Sequence, residues 1–101
     1  MRSSPDELLF IGGDHTIEAR RLAEAAVDAG LRIRWLAFGG ASGQAAFSAH
    51  GPGSVRLPLV VVGRRYCLQQ PRFDDIVRCV DVIRVGTGTL PPGCVQVAIA
   101  D

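Results

Sequence analysis

A chain of 101 residues with 48% apolar side chains supports one compact domain and leaves no room for a second core. Eleven basic and ten acidic residues give a net charge of +1, too balanced for a nucleic-acid footprint, and the hydrophobicity excludes disorder. The basic residues are all arginine, with lysine and asparagine absent, a usage explained by GC-rich bacterial codons rather than by selection for anion-binding guanidinium groups.

Leu8 to Ile11 is a short, wholly apolar run, the pattern of a central strand covered on both faces. Ala19, Leu22, Ala23, Ala26 and Val27 then recur at i, i+3, i+4, i+7 and i+8, the buried stripe of an amphipathic helix. Asp14 is placed as its N-cap and Gly30 as its C-terminal stop. Leu31 to Phe38 begins by alternating, with Arg32 and Arg34 between Leu31, Ile33 and Trp35. That suits an edge strand and completes a βαβ unit with a right-handed crossover. In the glycine-rich stretch that follows, Gln44 to Ala49 fits a short helix anchored by Phe47 and ended by Gly51.

Leu59 to Val62 is β-branched and apolar, a second buried strand. Gly63-Arg64-Arg65 reads as a hairpin turn, with Tyr66 to Gln69 returning as an antiparallel edge. Pro71 is placed in the first turn of a final helix, with Asp74 and Asp75 near its positive end. Phe73, Ile76, Val77, Val80 and Ile83 share one face of it, and the valine-rich tail to Val85 fits either a helix or extended chain. A loop from Thr87 to Gly93 leads to Cys94–Ile99, which alternates like one more strand. Such a strand extends the sheet, swaps between protomers or pairs with a partner chain.

Met1 to Glu7 lacks the basic start and apolar run of a signal peptide, and no apolar run reaches the roughly 20 residues of a membrane span. Cys67, Cys79 and Cys94 are odd in number and widely spaced, which predicts reduced thiols and a cytoplasmic location.

The order β-α-β-(α)-β-β-α, the pair Ala19-x-x-Leu22, and Leu57-Pro58 ahead of an apolar strand and Gly63 resemble the thioredoxin superfamily. Within it the chain looks most like the glutaredoxin-like electron donors of ribonucleotide reductase. The resemblance covers about residues 8 to 84 of a single domain, 1–101, and leaves 85–101 as a C-terminal extension. It implies an α/β, thioredoxin/glutaredoxin-like fold, a mixed four-stranded sheet with an extra C-terminal strand. It also implies that Pro58 is the family's cis-proline, facing the active-site loop. In the family that loop carries Cys-x-x-Cys or Cys-x-x-Ser. Here the matching positions, Gly13, Asp14, His15 and Thr16, hold no cysteine, so the thiolate that disulfide exchange requires is missing. Gln69-Gln70 stands where the family places glycines and an acidic residue for glutathione.

The candidate binding site is therefore the old redox cleft: Gly13, Asp14, His15 and Thr16, with Leu57 and Pro58 opposite. Backbone N–H groups and the helix dipole favour an anion there, while Asp14 repels one. His15 is the loop's titratable group near neutral pH, and Thr16 is a poor nucleophile without a base. Cys67 is the candidate for a residual redox thiol, against the reading of all three cysteines as small buried hydrophobes. Asp14, His15 and His50 have no spacing that enforces a metal site, and the glycines after Phe38 lack the lysine of a phosphate loop. No metal, cofactor, nucleic acid or membrane partner is expected. The expected function is a non-catalytic thioredoxin-fold module or accessory subunit that binds another protein or its own copy. The alternative is a small-ligand-binding protein or an atypical thiol oxidoreductase using the cleft.

Overall fold

Two unbroken apolar strands set the architecture. The computed structural model describes residues 6–12, 16–37, 39–50, 56 and 58–97, with Ser42 and His50 by backbone alone. In chain order they form β1 (Glu7–Ile11), α1 (Ile17–Asp28), β2 (Arg32–Leu36), α2 (Ala41–His50), β3 (Leu59–Val62), β4 (Tyr66–Gln69), α3 (Phe73–Val85) and β5 (Val95–Gln96). The strands make one open mixed sheet in the order β2-β1-β3-β4-β5. β1 runs parallel to β2, the crossover being α1, while β1–β3, β3–β4 and β4–β5 are antiparallel.

Alternating side chains divide the core between the two faces. Leu8, Phe10, Val60, Val62 and Leu68 meet Ala23 and Ala26 of α1 and Ile76, Cys79 and Val80 of α3. Leu9, Ile11, Leu59, Val61 and Cys67 meet Ala46 of α2. Leu8–Ile11 and Leu59–Val62 are therefore buried at every position, which is why neither segment alternates in sequence.

The helices depart from expectation at their ends. The N-cap of α1 is Thr16, not Asp14: its backbone is extended and its Oγ1 accepts the Ala19 N–H at 3.2 Å. Gly30 does stop the helix. At φ 87° it completes a Schellman motif, with its own N–H on the Val27 carbonyl at 2.9 Å and the Leu31 N–H on that of Ala26 at 3.0 Å. Val27 is 56% exposed rather than part of the buried stripe. At eight residues it stands about 80° round the helix from Ala19, at the rim of the apolar face. α2 is longer than the expected Gln44–Ala49, and its fully buried anchor is Ala46, with Phe47 only half-buried. The small side chain is the one turned onto the sheet. Gly51 lies outside the described residues.

α3 begins after Pro71, with Arg72 as N-cap and the Asp75 carboxylate accepting the Arg72 N–H at 3.1 Å. Its tail is helical through Val85, and Gly86 at φ 83° ends it by donating to the Val82 carbonyl at 2.8 Å. β4 is not an edge. β5 pairs outside it through Tyr66↔Gln96 and Cys67↔Val95, so the sheet has five strands rather than four. Of the expected terminal strand, residues 98 and 99 lie outside the described residues. β2 is an edge, with Arg32 and Arg34 exposed and Trp35 half-covered by Phe10, ring centroids 5.0 Å apart. The β3–β4 turn has Gly63 and Arg64 both at φ 59° and the Arg65 N–H on the Val62 carbonyl at 3.1 Å, a type I′ geometry. An ion pair from Arg64 Nε to Glu7 at 3.2 Å anchors it to the start of β1.

Candidate functional groove

Strand register brings three chain segments to one end of the sheet. Ile11 pairs with Leu59, and Leu59 with Gln69, so these residues form one row. Thr16 at the start of α1, the residue entering β3 (Pro58) and the chain leaving β4 (Gln70-Pro71) come together at that end. Together with α1 and the start of α3 they bound a groove of about 610 Å³. Its walls are mainly apolar, from Ala19, Leu22, Ala25, Pro58, Pro71 and Phe73, with Thr16, Glu18, Arg21 and Gln70 supplying polar groups.

Of the site residues expected from sequence, Thr16 and Pro58 meet across this groove. Gly13, Asp14, His15 and Leu57 lie outside the described residues, so the geometry of the Leu57–Pro58 peptide is not described either. Cys67 is not in the groove. It is fully buried on the α2 face of the sheet, and burial, reinforced by Cys94, pushes its thiol up to about 12. A thiol so placed is protonated at neutral pH, the opposite of an activated nucleophile. Among the described residues no cysteine lines the groove, and positions 13–16 contain none.

Gln69 and Gln70, noted in the sequence only as a departure from the family's glutathione positions, have a structural role beside the groove. Gln69 Oε1 accepts the Arg56 N–H at 2.9 Å, and the Gln70 N–H donates to the Pro58 carbonyl at 2.9 Å. This pair of glutamines ties the entry of β3 to the exit of β4. Gln70 sits at φ 41°, a left-handed conformation that a non-glycine residue adopts at a cost of order 1 kcal/mol. The available signal was local: two amides directly between a strand and Pro71. Thr16 caps α1 and faces the groove at once, so one first-turn N–H is already satisfied within the helix.

Among the described residues no three His, Cys, Asp or Glu side chains gather as a metal set; Asp14, His15 and the His50 side chain lie outside them. No described helix is long and apolar enough to cross a membrane. No family model, no curated protein and no solved structure matches the chain. Architecture and groove thus define the class: an α/β protein with a mixed, open five-stranded sheet and a predominantly apolar groove at one end of it.

Proposed function

We propose that this chain is a thioredoxin-like, non-catalytic module that binds another protein through the groove between α1, Pro58 and Phe73. The thioredoxin-like reading is supported by the strand order β2-β1-β3-β4, with β1 parallel to β2 and antiparallel to β3. The observation that carries the function is the groove itself. It has apolar walls with polar groups among them, and the loop expected to carry a thiol has none. A wall of this kind gains by covering apolar surface and can do no disulfide exchange.

The test uses Ala25→Arg, a half-exposed wall position where arginine suits a helix. A partner captured from native cell extract by the wild type is expected to be lost with Ala25→Arg at unchanged melting temperature. Neither protein is expected to turn over a glutathione mixed disulfide. Turnover, or capture undiminished by the substitution, overturns the reading. A small-molecule ligand is the second reading, favoured by the groove's volume, which falls within the roughly 300–1,000 Å³ of ligand pockets. Oxidoreductase chemistry through Cys67 is disfavoured by the burial of that thiol away from the groove.

A further inference from the structure

We propose that Cys79 and Cys94 are a redox-modifiable dithiol, whose oxidation to a disulfide staples the C-terminal strand β5 to α3. None of the residues involved lines the groove, so the inference is independent of the function proposed above.

Placement selects this pair out of the three that three cysteines allow. Cys79 is fully buried in α3 on the side facing the sheet. Cys94 is half-buried, directly precedes β5 and packs against the same apolar cluster. The two thiols are near enough to perturb one another's ionisation, within the cluster that both join. Cys67 pairs with Val95 in the β4–β5 register, and both belong to the cluster on the opposite face of the sheet. Successive side chains of an extended segment alternate, so Cys94 is turned to α3 while Val95 is turned with Cys67 to α2.

Cys94 follows Gly93, which has φ 79°, in a turn closed by the Cys94 N–H on the carbonyl of buried Pro91 at 3.3 Å. Cys79 is fully buried and Cys94 half-exposed, so Cys94 is the thiol that an external disulfide reaches first, although burial raises its pKa. The oxidant is a low-molecular-weight disulfide, RSSR. The Cys94 thiolate attacks one of its sulfurs, the S–S bond breaks, and RS⁻ leaves and takes a proton. Cys79 then loses its proton and attacks the Cys94 sulfur, forming the internal bond and expelling a second RSH. Two protein thiols are oxidised and one RSSR is reduced to two RSH.

The staple matters because β5 has few backbone ties, although Val95 and Val97 pack on the α2-face cluster and the strand is paired with the thiols free. Its ladder has two pairs, supplemented by the Val97 N–H on the Arg65 carbonyl at 2.9 Å. Oxidation keeps β5 on β4. Reduction lets it leave and bares the β4 edge, a template for another strand.

The native protein is incubated with oxidised glutathione, alkylated and mapped by mass spectrometry. The expected product has lost two hydrogens, about 2 Da, with one Cys79–Cys94 cross-linked peptide and Cys67 alkylated only after denaturation. Its melting temperature is expected to rise on the order of 10 °C, reversibly with dithiothreitol. Amide-exchange protection of Val97 is expected to rise with it. Cys94→Ser, at a half-exposed position, is expected to fold and to show none of these changes, while Cys67→Ala keeps all of them. Persistence of a glutathione adduct on Cys94, a bond to Cys67, three unmodified thiols, or unchanged Val97 exchange in the oxidised protein each overturns the proposal.

Discussion

Alkaline pH is expected to destabilise this protein through a small and identifiable set of groups. The chain has no lysine, so the alkaline range is left to three cysteines and a single tyrosine, arginine staying protonated throughout. Cys67 and Cys79 are fully buried, and each thiol is pushed up from 9.0 to about 12, chiefly by burial and secondarily by Cys94. In the unfolded chain both ionise at their ordinary values. The native state therefore holds more protons in this window. Stability is full below the unfolded value of 9.0 and falls as pH rises toward the folded value of about 12.

Each thiol contributes a slope of about 1.4 kcal/mol per pH unit, so the two together remove on the order of 5 kcal/mol by pH 11. A domain of this size has about 5–15 kcal/mol in all. Urea unfolding under a phosphine reductant, repeated from pH 8 to pH 11, reads the effect as a falling midpoint. Cys67→Ala is expected to lower the midpoint at pH 8, because it opens a small cavity, yet to reduce its dependence on pH, Cys79 and Cys94 keeping the rest. A midpoint that stays level to pH 11, or an undiminished slope in Cys67→Ala, would refute the reasoning.

Thr16→Ala removes the acceptor of the Ala19 N–H and is expected to cost about 1 kcal/mol, with Thr16→Ser recovering most of it, in thermal or urea melts. No loss would mean that α1 is capped elsewhere. Phe10→Ala empties a fully buried site and is expected to cost about 3–5 kcal/mol. Trp35, the one tryptophan, loses its ring neighbour at 5.0 Å, so emission of the folded variant is expected to shift to the red. Unchanged emission would contradict that contact.

The elements most legible in the sequence are those whose pattern is fixed by burial on both faces or by a single backbone requirement. β3 falls on Leu59–Val62 and β4 on Tyr66–Gln69, as their runs predict, and Gly30 stops α1 where only a left-handed residue fits. Helix starts were less legible. Asp14 and Thr16 are both good caps by type, and the choice between them depends on which hydroxyl or carboxylate reaches a first-turn N–H. The anchor of α2 was misplaced because Phe47 is the larger apolar residue, whereas packing against the sheet admits Ala46. Half of the groove was legible, in Thr16 and Pro58. The other half, Gln70, Pro71 and Phe73, comes from register, because the row Ile11, Leu59, Gln69 exists only once the strands are paired.

α3 belongs to both features of the molecule, and its rigidity decides whether they communicate. Phe73 in its first turn forms groove wall, and Cys79 meets Cys94 six residues later, about 9 Å along the axis. A staple at Cys79 would alter the groove only if α3 had two arrangements of similar energy. The helix argues for one. Ile76, Cys79 and Val80 are buried against the sheet, Asp75 caps its start, and Gly86 closes its end. Interiors packed in this way resist sliding, so the element that adjusts to the staple is β5, with its two ladder pairs, rather than α3. Oxidation therefore acts on the outer edge of β4, and the groove keeps its shape in either redox state.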